Sequence, residues 1–444
     1  MRVLRLTPAG ARLLDRWSSG EPIGSGPGAG VLAARLVEAG AAHPVPPAEP
    51  GRSNGRPAIG DVAVVIPVRD DQPGLDTTLD ALAATAPGVP VVVVDDGSAT
   101  PMTVGDRIGV SLIRQADNRG PGGARNTGWQ AAAPTDVIAF VDAGCLPSPG
   151  WLEILLPHLA DPATAAVAPR ITTAVEAGTP PGLAAYEQAH SPLDLGPRPA
   201  PVRPGSSVPY VPTTCLVVRR ADLVAAGGFD PGFRFGEDVD LVWRLGEAGR
   251  RIRYEPAATA SHPARPSVGA WARQRFDYGR SAAVLAARHG RAAAPMVASP
   301  WSTAVWGLAV AGHPMAAAGL AGGSAVALGR RAGRDRTVAA ELRHLALTGT
   351  LRSAGALASA VRRAWLPPAL GLATLAWAGG GRRTRARVVA VGASIALGPG
   401  LVRCAAGEPL GWAAWSLADD LAYQAGVWAG VTAARSGAAL LPRW

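Results

Sequence analysis

The chain of 444 residues contains no lysine, so all its strongly basic side chains are arginines, and its formal net charge is +10. Such a surplus favours anionic partners, for example nucleotide phosphates or an anionic lipid surface. No segment interleaves basic and aromatic residues as a nucleic-acid-binding motif does, so no nucleic-acid partner is expected. Cysteine is also scarce. Cys145, Cys215 and Cys404 lie far apart and form neither a disulfide framework nor a zinc-binding spacing, which predicts a reducing compartment.

Several common signals are missing. No apolar run follows the first arginines, so no signal peptide is expected. No GK[ST] phosphate-binding loop occurs, and the first strand is not followed by GxGxxG, which excludes P-loop and dinucleotide-binding folds. The length leaves room for two or three domains with a substantial core.

Three regions of the chain differ in amino-acid composition and hydrophobic pattern. Residues 1–57 carry two short amphipathic helical patterns, LTPAGARLLDRW and VLAARLVEAG, followed by the linker-like HPVPPAEPGRSNGRP. Residues 58–290 alternate strand-like and helix-like segments. Residues 291–444 are apolar and poor in charge.

The middle region predicts an α/β fold. DVAVVIPV, VPVVVVDDGS and TDVIAFVDAG are short β-branched runs, as strands covered on both faces require. LDTTLDALAATA has helical spacing. Alternation of this kind predicts a mostly parallel, doubly wound, Rossmann-like sheet, which binds ligands beyond the carboxyl ends of its strands.

Acidic residues recur at those strand ends. Asp95 and Asp96 end the second run, and Asp142 ends the third. Each alone suits a turn or a helix cap. Glu237 and Asp238 begin a helical pattern, where acids complement the helix dipole, but adjacent carboxylates also raise each other's proton affinity. Five acids converging on one sheet edge favour a functional site.

The apolar C-terminal region predicts membrane association. Its first stretch, residues 301–329, is long enough to cross a bilayer, but His313 and Pro314 interrupt it. Arginine clusters separate the later stretches, which suits helical hairpins or interfacial helices on the cytoplasmic face of the membrane. An ordinary buried helical domain is the alternative.

The motifs VVIPVRDD, VVVVDDGS, GPGGARNTG, AFVDAG, FGEDVDLVWRL and RQRFDYG occur in this order. Together, over about residues 60–280, they resemble the GT-A-type nucleotide-sugar transferases of family 2. The resemblance implies a GT-A fold and an inverting glycosyltransferase.

The resemblance also implies roles for individual residues. Asp238 is then the general base, assisted by Glu237. The acid that meets the donor diphosphate is Asp142, and the nucleobase is read by Asp96, supported by Asp95. The remaining donor-site residues implied are Pro67, Asp70, Arg273, Gln274 and Arg275.

The glycine-rich loop before Arg125 and Asn126 suits an anion at a helix N-terminus. A divalent metal, Mg or Mn, is implied by the resemblance, but Gly144 stands where the family usually has a second Asp. Asp142 and His262 are the remaining ligand candidates, since Mg²⁺ is often held by one or two carboxylates with phosphates and water. A loop histidine without a ligand is the alternative for His262.

HSPLDLGPRPAPVRPGSSVPYVPTTCLVVRR and RFDYGRSAAVLAARH narrow the resemblance to the glycosyltransferases of mycofactocin biosynthesis. This implies a UDP-glucose donor and a β-linked glucose oligomer built on pre-mycofactocin. Residues 1–57 are similar to a truncated peptide-recognition domain. Two alternatives remain: a membrane enzyme acting on a lipid or envelope polysaccharide, and a catalytically inactive binding protein.

Overall fold

The computed structural model describes residues 4, 6–24, 26–46, 57–175, 178–297, 299–333 and 335–443. It divides into two compact units. The first unit comprises residues 1–175 and 190–263, and the second comprises residues 176–189 and 264–444. Most of the linker predicted at 43–57 lies outside the described residues. The domain boundary predicted after residue 290 falls within the second unit, and the predicted domain limits stay predictions.

The described part of the first unit contains one sheet. Its strands are β1 Val62–Val68, β2 Val91–Asp95, β3 Val110–Arg114, β4 Val137–Val141, β5 Leu146–Pro147, β6 Thr164–Ala174, β7 Ala200–Pro201, β8 Cys215–Arg219 and β9 Arg251–Pro263. The order is β3-β2-β1-β4-β8-β6-β9-β5, with β7 beside β9.

Strands β3, β2, β1 and β4 run parallel, and β8 is antiparallel to β4. Every residue of β2 and β4 is buried, as their β-branched sequences predict. The predicted α/β class is therefore confirmed, with a mixed sheet beyond β4. The parallel half brings the ends of β2 and β4 to one edge, on either side of β1.

The first unit also contains helices, two of which precede the first strand. They are α1 Pro8–Ser18, α2 Pro27–Glu38, α3 Gln72–Thr85, α4 Gly120–Ala131, α5 Trp151–Leu155, α7 Arg220–Ala225 and α8 Glu237–Glu247. Side-chain caps fix two of the starts. Thr7 Oγ1 accepts a hydrogen bond from Gly10 N at 3.1 Å, and Asp71 Oδ1 accepts one from Gly74 N at 3.0 Å.

The second unit is helical. Its helices are α6 Pro181–His190, α9 Val268–His289, α10 Pro300–Val310, α11 Pro314–Arg330, α12 Arg336–Ala360, α13 Leu366–Gly379, α14 Arg382–Ala405 and α15 Gly411–Ala434. Helices α9 and α15 approach very closely, because a Cβ atom on Gly279 or Gly426 would collide with the backbone of the facing helix.

The apolar stretch at 301–329 is broken as its sequence predicts. Helix α10 ends at Val310 and α11 begins at Pro314, a residue favoured in the first turn of a helix. Among the described residues, one helix is long and apolar enough to cross a bilayer. It is α14, whose best window has a mean hydropathy of 1.7 and is 6% buried.

Candidate active site

Arg125 of α4 joins two of the acidic segments. Its side chain is 4% exposed. Nη2 donates to Asp142 Oδ1 at 2.7 Å, and Nη1 donates to Glu237 Oε1 at 2.8 Å. The guanidinium also lies over the Phe229 ring, 5.6 Å from its centroid. One buried cation thus ties the end of β4 to the start of α8.

Asp142 is held as a carboxylate. Burial raises its pKa, but the charge and hydrogen bond of Arg125, with a smaller effect from His262, bring it below the ordinary value. Its backbone N donates to Thr214 O at 2.9 Å, which fixes the turn after β4. The group that follows this strand is therefore anionic and rigidly placed.

Asp238 is in a different state. Helix α8 begins after Gly236, so Glu237 and Asp238 both lie in its first turn. Burial, followed by the neighbouring charge of Glu237, raises the pKa of Asp238 to about 7. Its Oδ1 accepts a hydrogen bond from Val239 N at 2.7 Å. A half-buried carboxylate with this pKa is suited to accept a proton near neutral pH.

The loops after β1 and β2 are cross-linked. Asp95 is buried and accepts hydrogen bonds from Ser98 N at 2.8 Å and Met102 N at 3.2 Å, so it shapes the turn. Asp96 Oδ1 accepts one from Arg119 N at 2.7 Å, and burial raises the pKa of Asp96. Asp70 Oδ1 accepts one from Ala99 N at 2.7 Å.

Pro67 lies in β1, opposite Val94 of β2. With Asp70, Asp95 and Asp96, it therefore lies at the sheet edge that also carries Asp142. The structure thus brings the acids predicted on the first three strand runs to one edge.

Asn126 anchors a neighbouring loop. Its Nδ2 donates to Phe229 O at 2.7 Å, and its Oδ1 accepts from Phe229 N at 2.9 Å and Trp129 Nε1 at 3.0 Å. These bonds hold the loop that leads to α8. Its predicted contact with the donor stays a prediction.

Arg273, Gln274 and Arg275 lie on α9 in the second unit. Arg273 is exposed, whereas Arg275 is buried and paired with Glu187 and with Asp419, the latter at 2.9 Å. Gln274 Nε2 donates to the Tyr278 hydroxyl at 3.0 Å. Sequence reasoning missed the pairing of Arg275, because its partners are distant in the chain.

The backbone at Gly144 disfavours a second carboxylate residue. Gly144 has φ +83°, and an added Cβ would lie 3.2 Å from Pro263 Cγ. Its N donates to Gly74 O at 3.0 Å and Thr78 Oγ1 at 2.9 Å. The acid Asp142 and the imidazole of His262 therefore fit a divalent ion only if phosphates and water complete its shell.

A cluster that sequence reasoning missed lies elsewhere in the first unit. Nε2 atoms of His43 and His158 lie 3.0 and 3.1 Å from the same oxygen of Glu255. A metal-bound histidine normally donates its outer N–H to an acceptor. Here His43 Nδ1 faces Arg253 Nη1 at 3.4 Å, and His158 Nδ1 has no hydrogen-bond partner among the described residues. The trio is therefore better suited to mutual hydrogen bonding than to a metal.

Residues 63–223 match the model of glycosyl transferase family 2. The whole chain is 40% identical to the pre-mycofactocin glycosyltransferase of Mycobacterium tuberculosis, of which the alignment covers 92%. The chain belongs to this glycosyltransferase family. It is therefore a glycosyltransferase, as predicted, and the predicted family and GT-A-type fold are confirmed.

Two further similarities are more limited. The rhamnosyltransferase WbbL of Escherichia coli is 48% identical over 48 residues, which are 11% of this chain and 18% of that protein. The structure of the mannosyltransferase PcManGT from Pyrobaculum calidifontis, in complex with GDP-Man and Mn²⁺, covers 95% of this glycosyltransferase and 98% of its own chain. Its identity is 17% and its TM-score 0.49.

Proposed function

We propose that this glycosyltransferase transfers glucose from UDP-glucose to pre-mycofactocin and extends it into a β-linked glucose chain. The support is its full-length similarity to a pre-mycofactocin glycosyltransferase. The observation that carries the chemistry is Asp238, a carboxylate with a pKa near 7 beside the Arg125-linked pair Asp142 and Glu237.

In the proposed reaction, Asp238 accepts the proton of an acceptor hydroxyl as that oxygen forms a bond to the anomeric carbon. The bond from the anomeric carbon to the diphosphate oxygen breaks on the opposite face. One displacement inverts the anomeric centre, so an α-linked donor gives a β-linked product. General-base help of this kind contributes about 10²–10⁴ to the rate.

The neighbouring residues prepare that step. Arg125 holds Glu237 in place, and the charge of Glu237 raises the proton affinity of Asp238. Asp142 faces the donor diphosphate in this proposal, with His262 as a second contact. A divalent ion bound there would offset the charge of the leaving diphosphate.

Recognition of the donor nucleobase is assigned to the loops after β1 and β2, at the sheet edge that also carries Asp142. Asp96 is proposed to bind the nucleobase, and the hydrogen bond that its Oδ1 accepts from Arg119 N holds its carboxylate in place. Asp95, Asp70 and Pro67 keep the loop in shape. The proposed diphosphate and acceptor contacts are Arg125, Asn126, Arg273 and Gln274, whereas Arg275 is buried and paired with Glu187 and Asp419.

We further propose that the protein works at the cytoplasmic face of the membrane. Helix α13 has no buried side chain within the described structure, and Leu370, Leu372, Leu375 and Trp377 are exposed on it. Large exposed apolar patches mark interaction surfaces, and an apolar helix with a tryptophan suits a lipid interface.

The direct test is to incubate purified protein with UDP-glucose and pre-mycofactocin, with either Mg²⁺ or EDTA, and to follow hexose additions by mass spectrometry. Serial additions support the proposal. If EDTA stops them, the metal assignment to Asp142 gains support. If EDTA leaves the hexose additions unchanged, the arginines and His262, not a metal, would neutralise the charge of the leaving diphosphate.

A second candidate is transfer to a lipid or envelope polysaccharide, which the exposed apolar side chains of α13 favour. A parallel reaction with a membrane lipid extract distinguishes the two. Hexose on lipid and none on pre-mycofactocin would replace the first proposal with the second. Donor hydrolysis without any acceptor would separate either enzyme from an inactive binding protein.

A further inference from the structure

A cavity of about 400 Å³ lies within the first unit, and it is separate from the acidic site. Its walls are the end of α2, the C-terminal half of α8, residues 201–204 and residues 249–253. Cavities of this size accept small organic ligands. Helix α8 connects the two places, with Asp238 in its first turn and Glu247 at its end, roughly 13 Å further along the helix.

Two arginines lining this cavity have no ion pair with a carboxylate among the described residues. Arg253 is 4% exposed, and its Nη1 lies 3.4 Å from His43 Nδ1. Arg203 also lines the cavity. Among the described residues, neither guanidinium has a carboxylate at ion-pair distance.

The neighbouring arginines make the contrast clear. Arg250 pairs with Asp222 at 2.7 Å, and Arg251 pairs with Glu38 at 2.8 Å. A buried arginine normally has such a partner, because removing its charge from water is costly. Burial lowers the pKa of Arg253 to about 10, and the more distant charges of Asp161 and Glu255 offset this effect only in part. An anion in the cavity would supply the missing partner.

The lining also contains Glu38, which pairs with Arg251, and Glu247 at the end of α8. The remaining lining residues are largely apolar. Val37, Val242 and Ile252 contribute aliphatic surface. Trp243 Nε1 donates to Pro209 O at 2.8 Å, so the polar end of this side chain is already satisfied and its ring adds apolar surface. The cavity therefore pairs a cationic end with an apolar wall.

We propose that this cavity is a second ligand site, which binds a small molecule carrying a phosphate or carboxylate group on an apolar body. Arg253 is the primary anion contact and Arg203 the secondary one. Val242 and Trp243 contact the apolar body. Because the cavity is lined by the helix that carries Asp238, its ligand is placed to influence the acidic site.

The experiment uses phenyl phosphate and benzoate as probes, with isothermal titration calorimetry on the full-length protein. Phenyl phosphate is titrated with and without saturating UDP, so that the nucleotide-sugar site is filled in one arm. The account predicts one phenyl phosphate per chain in both arms. It also predicts binding at least about tenfold weaker in Arg253→Gln, since a charge-assisted hydrogen bond is lost. Arg12→Gln, an exposed site on α1, is the matched control and should bind as the wild type does.

Three results would overturn the proposal. One is that neither probe binds at up to about 10 mM, a concentration that would nearly saturate a site with a Kd of about 1 mM. Another is that UDP displaces phenyl phosphate, which would place the probe in the donor site. The third is unchanged affinity in a folded Arg253→Gln variant. If that variant does not fold, Arg203→Gln decides the question, because its arginine is less buried; unchanged affinity there would also overturn the proposal.

Discussion

Two carboxylates of the site, Asp142 and Asp238, have pKa values shifted in opposite directions. Arg125 is buried between Asp142 and Glu237 and keeps Asp142 ionised. Asp238 lies next to Glu237, and its pKa is raised to about 7. The site therefore contains one carboxylate that stays charged and one that exchanges its proton near neutral pH.

The pH dependence of turnover follows from the raised pKa. Asp238 must be ionised to act as a base, so kcat/KM, which reports the free enzyme, should rise with pH and level off above an apparent pKa near 7. Initial rates of hexose transfer between about pH 5 and 9 test this, with the buffer range spanning the transition. A kcat/KM that is flat across this range would contradict the assignment.

The same pKa makes a prediction about stability. An acid whose pKa is higher in the folded protein loses stabilising effect as pH rises from the unfolded to the folded value. Asp238→Asn should therefore raise the melting temperature relative to wild type at pH 8, and change it little at pH 4. Asp106→Asn, at an exposed site, should give no such pH-dependent difference. Equal changes in melting temperature for the two variants at pH 8 would show that the charge of Asp238 does not destabilise the folded protein.

Arg125 is expected to be essential for the fold of the site. Arg125→Gln leaves Asp142 and Glu237 in place without their cation, and breaking a buried ion pair costs about 3–5 kcal/mol. The free energy of unfolding, measured by urea denaturation, should fall by this amount. Asp106→Asn again serves as the reference. A loss below about 1 kcal/mol, as for exposed pairs, would contradict the bridging role.

Residue types and their order sufficed to place these acids at one edge of the sheet, but not to predict their partners. Asp95, Asp96 and Asp142 could be placed because each follows a β-branched strand. The hydrogen bond from Arg125 to Glu237 could not be predicted, since 112 positions separate the two residues. The His43–Glu255 contact, across 212 positions, was missed for the same reason.

At the scale of the element, the turn after β4 determines what position 144 can hold. Its positive φ favours glycine, and Pro263 occupies the space a side chain would need. Restoring an acid at this position is therefore not a simple route to stronger metal binding.

Gly144→Ala should lower stability by about 1–3 kcal/mol, because a side chain in the left-handed region is strained. Gly150→Ala is the matched control, since Gly150 has φ +79° but nothing within 4 Å of an added Cβ. We expect the Gly144 variant to be the less stable of the two in urea unfolding. If the order is reversed, Pro263 does not restrict this position.

Element types were predictable where local chemistry decides them. The strands β1, β2 and β4 follow from β-branched runs, and the break between α10 and α11 follows from Pro314. The antiparallel direction of β8 relative to β4 could not be predicted, because an apolar run does not show which strand it will pair with or in which direction.

At the scale of the whole molecule, the exposed apolar residues of the second unit predict lipid binding. Leu372 and Leu375 of α13 are 70% and 71% exposed. Replacing both by Glu should reduce co-flotation with anionic liposomes while leaving the melting temperature unchanged, since neither side chain contributes to a buried core. Val224→Glu, at an exposed site of the first unit, is the control. Equal flotation of all three proteins would show that α13 does not contact lipid.

The central claim of the account is that Asp238 takes the proton from the acceptor. The most direct measurement compares hexose transfer from UDP-glucose by wild type, Asp238→Asn and Asp106→Asn, with UDP affinity measured on each protein by calorimetry. The account predicts that Asp238→Asn loses about 10²–10⁴ in kcat, the usual contribution of a general base, while its UDP affinity stays within about twofold of wild type. Asp106→Asn should match wild type in both. Turnover by Asp238→Asn at the wild-type rate would contradict the account.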